Sequence, residues 1–133
     1  MMPRKASQQP TEVELHILEV LWEHAPCPLG IIQNNISNSE TKSYTTIQTM
    51  VRVMVEKGLV IRDDSVHPML YRPAKSRDVT RQQILADITD RAFQGSAQKV
   101  VMSLLDSKKI DSDELSEIKK MIEQAESERG HNG

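Results

Sequence analysis

The apolar residues of segment 43–73 change their spacing at Gly58. Before this glycine they recur at i, i+3, i+4, i+7 and i+8, which predicts an amphipathic helix over residues 43–57 with the apolar face Ile47, Met50, Val51, Met54 and Val55. After the glycine, residues 59–62 and 69–72 form two short apolar segments separated by a turn-like stretch, which predicts two strands. The fold must therefore accommodate a helix followed directly by a β-hairpin.

Two more helices are predicted before this segment. Residues 11–14 have the spacing of a capping box, and the helix that begins there ends before Pro26, because the residue preceding a proline disfavours helical angles. A second, shorter helix is predicted over residues 29–36. Three helices and a hairpin in this order are typical of a winged helix-turn-helix domain, which we predict for residues 11–76 after a disordered arm, residues 1–10.

The rest of the chain is predicted to be helical, so the fold class is mainly α. Residues 77–126 contain three apolar stripes at helical spacing, with the candidate dimerisation residues Ile84, Ile88, Val100, Val101, Leu104, Leu105, Leu115, Ile118 and Ile122. Three helices in about fifty residues bury little apolar surface alone, which predicts an obligate homodimer paired through these helices. The pattern leaves open which residues form the core and which the interface, and residues 127–133 are predicted to be a flexible tail.

The side of the third helix opposite its apolar face is polar and carries Thr45, Gln48, Thr49, Arg52 and Glu56. Hydroxyl, amide and guanidinium groups form hydrogen bonds with base edges and phosphates, and a winged-helix domain places this helix in the major groove. The candidate DNA-binding residues are Ser43, Tyr44, Thr45, Thr46, Gln48, Thr49 and Arg52 of the helix, and Arg62, His67 and Arg72 of the hairpin wing. A dimer would place two such helices on half-sites about one helical turn apart.

The charge distribution favours a DNA-binding surface in the middle of the chain. Segment 42–77 carries seven basic and three acidic side chains, a net charge of +4, whereas the segments before and after it each carry −3. A local basic face is typical of phosphate binding, but a solvated surface has the same composition.

Alternatives stay open for single residues and for the whole domain. Tyr44 packs on a sugar or a thymine methyl, or only covers the helix start; Arg62 and Arg72 contact phosphates or are solvated; His67 reaches DNA or is a turn residue. The alternative function is a winged-helix module for protein partners without an operator. A module of this kind would need apolar groups on the outer face of the third helix.

Several classes of function are disfavoured by what the sequence lacks. Cys27 is the only cysteine, which excludes an internal disulfide and fits a small buried residue in a protein of the reducing cytoplasm. The sequence has no apolar run of about eighteen residues, so no membrane span is predicted. The N-terminus does not resemble a secretory signal. We find no nucleophile–base pair, phosphate loop or metal-ligand spacing, so we expect no enzyme activity, metal or cofactor.

Four segments resemble the penicillinase and methicillin-resistance repressor family. They are residues 12–22, 43–50, 56–60 and 70–73, and the sequence TIQTM followed at fixed spacing by EKGLV is the most specific part. The similarity extends over about residues 11–125, including the helical C-terminal region.

The resemblance implies a dimeric bacterial repressor on a palindromic operator. By position, the family's DNA-contacting helix corresponds here to Ser43, Thr45, Thr46, Thr49 and Arg52. Many members have Lys where Thr45 stands and Arg near His67, and both departures remove a charge. In the family, an antibiotic-sensing membrane metalloprotease cuts within the second C-terminal helix, and the matching peptide is Ser103–Leu104, where well-known members have Asn-Phe.

Overall fold

The computed structural model describes residues 9–37, 43–107 and 109–132, with side chains described as far as Gly130. Its described part contains six helices and a two-stranded antiparallel sheet, in the order α1 (Glu12–His24), α2 (Leu29–Asn35), α3 (Tyr44–Glu56), β1 (Val60–Asp63), β2 (Leu70–Pro73), α4 (Arg77–Ala92), α5 (Ala97–Asp106) and α6 (Ser112–Asn132). The mainly helical winged-helix architecture predicted from the sequence is confirmed. Residues 1–8 of the predicted arm lie outside the described residues, and so do residues 38–42, between the second and third predicted helices.

The chain divides into two units, residues 1–85 and 86–133. The division falls within α4, whereas the domain boundary predicted from the sequence is residue 76, immediately before this helix.

The first helix has the predicted capping box. The Thr11 side chain accepts a hydrogen bond from the Glu14 N–H at 3.2 Å, and Glu14 Oε1 accepts one from the Thr11 N–H at 2.9 Å. The helix ends at His24, followed by Ala25 in an extended conformation before Pro26. Both ends follow from local chemistry, because the box satisfies N–H groups at the start and the proline disfavours another helical turn.

The core of the first unit lies between the three helices and the hairpin. Its buried apolar residues are Ile17, Leu18, Val20, Leu21, Cys27, Leu29, Ile32, Ile36, Ile47, Val51, Met54, Val60 and Tyr71. Burial of an aliphatic side chain of this size contributes about 1.5–3 kcal/mol. Since α3 supplies three fully buried residues, its opposite face is held toward solvent.

The end of α3 is set by Gly58, as predicted. Gly58 has a φ of 81°, which a residue with a Cβ adopts only with strain. Its N–H donates to the Val55 carbonyl at 3.1 Å, and the Leu59 N–H donates to the Met54 carbonyl at 2.9 Å. These bonds form a Schellman motif, which reverses the chain and starts the hairpin.

The hairpin is attached to the helices through Cys27. Strands β1 and β2 pair with Arg62 opposite Tyr71 and Ile61 opposite Arg72. The Cys27 N–H donates to the Tyr71 carbonyl at 3.1 Å, and the Tyr71 N–H donates to the Cys27 carbonyl at 2.8 Å. The Cys27 side chain is buried, as predicted, and burial raises the pKa of its thiol.

One ion pair joins the start of α1 to the end of α3. Lys57 Nζ lies 2.7 Å from Glu14 Oε1, the same oxygen that accepts the Thr11 N–H. The Glu14 side chain is only 7% exposed and that of Lys57 is 24% exposed. The carboxylate stands near a helix N-terminus and the ammonium near a helix C-terminus, so both helix dipoles favour the pair.

We expect Lys57→Met to lower the free energy of unfolding by about 2–3 kcal/mol, because it leaves the Glu14 carboxylate buried without its cation. Thermal unfolding followed by circular dichroism, at equal protein concentrations, measures the loss. Lys120→Met is the matched control, because it removes a solvent-exposed pair with Glu117 and should change stability by less than about 0.5 kcal/mol. Equal losses in the two variants would contradict a special role for the buried pair.

The beginning of α4 is fixed to α1 within the first unit. The Trp22 indole N–H donates to the Lys75 carbonyl at 2.9 Å. Arg77 lies 5.5 Å from the centre of the Trp22 ring and donates to Glu19 at 3.1 Å. A cation over an aromatic ring and a charged hydrogen bond together orient the first turn of α4.

The second unit consists of capped helices with exposed apolar stripes. Ser96 caps α5 by accepting the Lys99 N–H at 3.2 Å, and Asp111 accepts the Glu114 N–H at 2.8 Å before α6. Between residues 86 and 130, all of the described apolar side chains are exposed or half-buried. Where a flexible tail was expected for residues 127–133, α6 continues to Asn132, because no proline interrupts the helical sequence.

Candidate nucleic-acid interface

The polar face of α3 is open to solvent over its whole length. Five of the predicted DNA-binding residues are exposed on it and Thr46 is half-buried; the exposed ones are Tyr44, Thr45, Gln48, Thr49 and Arg52. Directly behind them, Ile47, Val51 and Met54 are 0–1% exposed. The helix is therefore a rigid support that holds hydroxyl, amide and guanidinium groups on one accessible surface.

The first turn of α3 is capped by Ser43. Its side-chain oxygen accepts the Thr46 N–H at 3.4 Å, so this predicted DNA-binding residue also stabilises the helix start. The N-terminal end of a helix carries partial positive charge, which favours a nearby anion such as a phosphate.

The two wing arginines lie on opposite faces of the hairpin. In an antiparallel pair, residues directly opposite share a face, so Arg62 lies on the face of Tyr71 and Arg72 on the face of Ile61. Burial raises the pKa of Tyr71, the charge of Arg62 opposes that shift, and Tyr44 also influences it. Because Tyr71 and Tyr44 line one cleft, Arg62, which shares the face of Tyr71, is the wing arginine on the side of the α3 helix start.

Both wing arginines have acidic neighbours. Arg62 Nε lies 2.7 Å from Asp64 Oδ1. Two hydrogen bonds from Ser65, together with the charge of Arg72, hold the pKa of Asp63 below its usual value. The sequence predicts a strand that ends at Arg62 and a turn after it. The Arg62–Asp64 pair is not among these predictions, although the i, i+2 spacing in an extended segment places both side chains on one face.

A cleft of about 390 Å³ lies beside the start of α3. It is lined by α2 and its preceding turn, by the first residue of α3 and by the wing, namely Pro28, Leu29, Gly30, Tyr44, His67, Pro68, Met69 and Tyr71. His67 is exposed at this edge. Two predicted features, the α3 start at Tyr44 and the wing turn, therefore line one cleft.

The predicted dimerisation residues are accessible apart from three half-buried ones, Ile84, Val100 and Ile118. The others are 44–52% exposed: Ile88, Val101, Leu104, Leu105, Leu115 and Ile122. The Ser103–Leu104 peptide lies inside α5, and the Ser103 carbonyl accepts the Ser107 N–H at 3.1 Å.

The described residues contain no group of three or more His, Cys, Asp or Glu side chains arranged to hold a metal ion. Of the helices in this part of the chain, none combines the length and apolar character needed to cross a membrane.

A capped polar helix beside a hairpin wing, on a common surface, defines the class of winged-helix transcription regulators. The chain belongs to the penicillinase repressor family, whose model matches residues 10–124. It is 22% identical to the penicillinase repressor of Bacillus licheniformis over 120 residues, covering 90% of this chain and 94% of that protein. It is 27% identical to the transcriptional regulator BlaI of Mycobacterium tuberculosis over 124 residues, covering 90% of this chain and 86% of the relative.

Among solved structures, the chain is similar to Staphylococcus aureus MarR in complex with salicylate and kanamycin. The TM-score is 0.46 and the identity 14%, covering 88% of this chain and 71% of that one. Membership of the family makes the protein a transcriptional repressor, as the resemblance implied.

Proposed function

We propose that the protein represses transcription as a homodimer on a palindromic operator, with α3 of each subunit in the major groove. The observation that carries this proposal is the exposed polar face of α3 backed by buried apolar residues. The alternative, a module for protein partners, would require an apolar outer face on α3 instead.

Within each half-site, Arg52, Gln48 and Thr49 are the proposed contacts to base edges. A guanidinium binds guanine well, an amide binds adenine, and a threonine contacts either an acceptor or a thymine methyl. Ser43, Tyr44, Thr45 and Thr46 lie at or near the helix start, where backbone and hydroxyl groups contact phosphates. The wing then contributes His67, which lines the cleft with Tyr44, and Arg62 on the face of Tyr71, whereas Arg72 lies on the opposite face and contributes little.

The homodimer is proposed to form through α4, α5 and α6. What supports this is the second unit itself, because its described apolar side chains are exposed or half-buried. Helices with such stripes need a partner to remove them from water, and a second copy offers the same stripes with two-fold symmetry.

Induction is proposed to weaken this dimer through cleavage at Ser103–Leu104 by a membrane sensor metalloprotease, in the cytoplasm. The peptide lies in helical backbone, so cleavage requires that α5 unwinds locally. Loss of the dimer would release DNA, because two linked half-sites bind far more tightly than one.

The test is a gel shift on the protein's own upstream promoter fragment, with excess nonspecific DNA and at two salt concentrations. We expect a competitor-resistant complex that weakens steeply as salt rises, because phosphate binding releases counterions. If a folded dimer formed no complex with this fragment at low salt, the promoter would be excluded as the target. Failure on a pool of genomic fragments as well would favour the protein-partner function.

Arg52→Ala should weaken operator binding by about tenfold or more, because a guanidinium contact to a base is worth about 1–3 kcal/mol. Arg129→Ala is the control, since it removes an exposed arginine from α6 and should leave affinity unchanged. If Arg52→Ala bound normally as an intact dimer, the assigned face of α3 would be wrong.

A further inference from the structure

We propose that Asp64 competes within the wing for the arginine that binds a DNA phosphate, and thereby sets the affinity and salt dependence of the repressor. The proposal rests on the proposed function, because the phosphate belongs to the DNA that α3 contacts. It assigns a role to a carboxylate on a surface where acidic groups are otherwise unfavourable for DNA.

Arg62 lies on the hairpin face that borders the cleft at the start of α3. It shares this face with Tyr71, and the side chains of Tyr71 and Tyr44 line the same cleft. Tyr44 is the first residue of α3. The Arg62 cation therefore stands at the junction of wing and α3 start, where a DNA backbone following the helix would pass.

The Arg62 guanidinium is already paired with a carboxylate of the wing. The 2.7 Å contact between Arg62 Nε and Asp64 Oδ1 offers the guanidinium a carboxylate in place of a phosphate. The two side chains are 39% and 62% exposed, so the pair is solvated and can exchange. A phosphate that binds Arg62 then meets the Asp64 carboxylate on the same guanidinium, and the phosphate must either displace this carboxylate or bind against its negative charge.

The neighbouring carboxylate, Asp63, differs from Asp64 in its bonding partners and in the face of the hairpin on which it lies. Asp63 accepts hydrogen bonds from the N–H and the hydroxyl of Ser65 at 2.9 and 2.6 Å. It belongs to the face of the hairpin that carries Arg72, away from Tyr71. Asp63 and Asp64 thus carry the same charge at adjacent positions, but only Asp64 pairs with the arginine on the α3 side.

The experiment compares Asp64→Asn with Asp63→Asn, measuring binding of the full-length protein to the promoter fragment and to a nonspecific duplex. Each substitution removes one negative charge, and the amide oxygen that Asp63→Asn introduces can still accept both Ser65 hydrogen bonds. We expect Asp64→Asn to bind both DNAs about three- to tenfold more tightly at low salt, with a steeper salt dependence by about one unit per subunit. Asp63→Asn should change affinity by less than about twofold.

A double variant tests whether the effect of Asp64 on DNA binding depends on Arg62. In an Arg62→Gln background, Asp64→Asn should give no further gain, because no arginine is left to release. The proposal is overturned if Asp63→Asn and Asp64→Asn strengthen binding equally, if Asp64→Asn has no effect, or if its gain persists without Arg62.

Measuring both the promoter fragment and the nonspecific duplex distinguishes failure of this proposal from failure of the operator proposal. A phosphate contact carries no sequence information, so the gain must appear on the nonspecific duplex as well. If the promoter fragment gives no specific complex but Asp64→Asn still tightens nonspecific binding, the operator proposal fails and the role of Asp64 stands. Circular dichroism at the assay temperature checks that every variant is folded.

Discussion

Val101→Glu should convert the repressor to a monomer and weaken operator binding by about two to four orders of magnitude. Val101 is 47% exposed on α5, within the proposed dimer surface. A buried carboxylate there would lack a partner, whereas the isolated chain leaves the side chain solvated. Affinity falls so far because a dimer gains the second half-site at a high effective concentration, and a monomer does not.

Gln98→Glu is the matched control for this variant. It adds the same charge to an exposed position on the same helix, outside the apolar stripe. Sedimentation velocity gives the oligomeric state, and the gel shift gives the affinity. A dimeric Val101→Glu protein with normal affinity would place the interface elsewhere, and a monomer with normal affinity would refute the linked half-site explanation.

Ile47→Ala should destabilise the winged-helix unit by about 2–5 kcal/mol, the usual cost of a cavity at a fully buried aliphatic residue. Ile47 is 0% exposed and lies on the inner face of α3. We also expect operator binding to be lost at temperatures where the variant partly unfolds, because α3 depends on this contact for its orientation.

Denaturant unfolding measures the first effect, and Val53→Ala provides the comparison. Val53 is on the same helix but 39% exposed, so its truncation should cost less than about 1 kcal/mol. A loss below about 1 kcal/mol for Ile47→Ala would mean that α3 is not held by this core.

Most of the fold could be predicted because its signals are local. The capping box at Thr11 and the Schellman motif at Gly58 use bonds between residues three to five apart, so the sequence displays them directly. The polar and apolar faces of α3 follow from the helical period alone. The exposure of its predicted contact residues is consistent with that pattern, while their role in DNA binding stays a prediction.

Other features required the three-dimensional structure. The backbone bridge between Tyr71 and Cys27 joins segments that are distant in the sequence, and no short sequence motif predicts it. The opposite orientations of Arg62 and Arg72 depend on the exact strand register, which places Arg62 opposite Tyr71. A shift of one residue would place both arginines on the same face of the hairpin, and sequence patterns locate strand ends less accurately than that.

The ion pair between Glu14 and Lys57 also constrains how this sequence can evolve. The two positions are 43 residues apart, yet a substitution at Lys57 leaves the buried Glu14 carboxylate without its partner, and one at Glu14 leaves the half-buried Lys57 ammonium without its own. Replacing both with well-packed apolar residues removes the two charges together and can be neutral. A change from the ion pair to an apolar pair therefore passes through a destabilised single variant. We expect the residues at positions 14 and 57 to change together among related proteins.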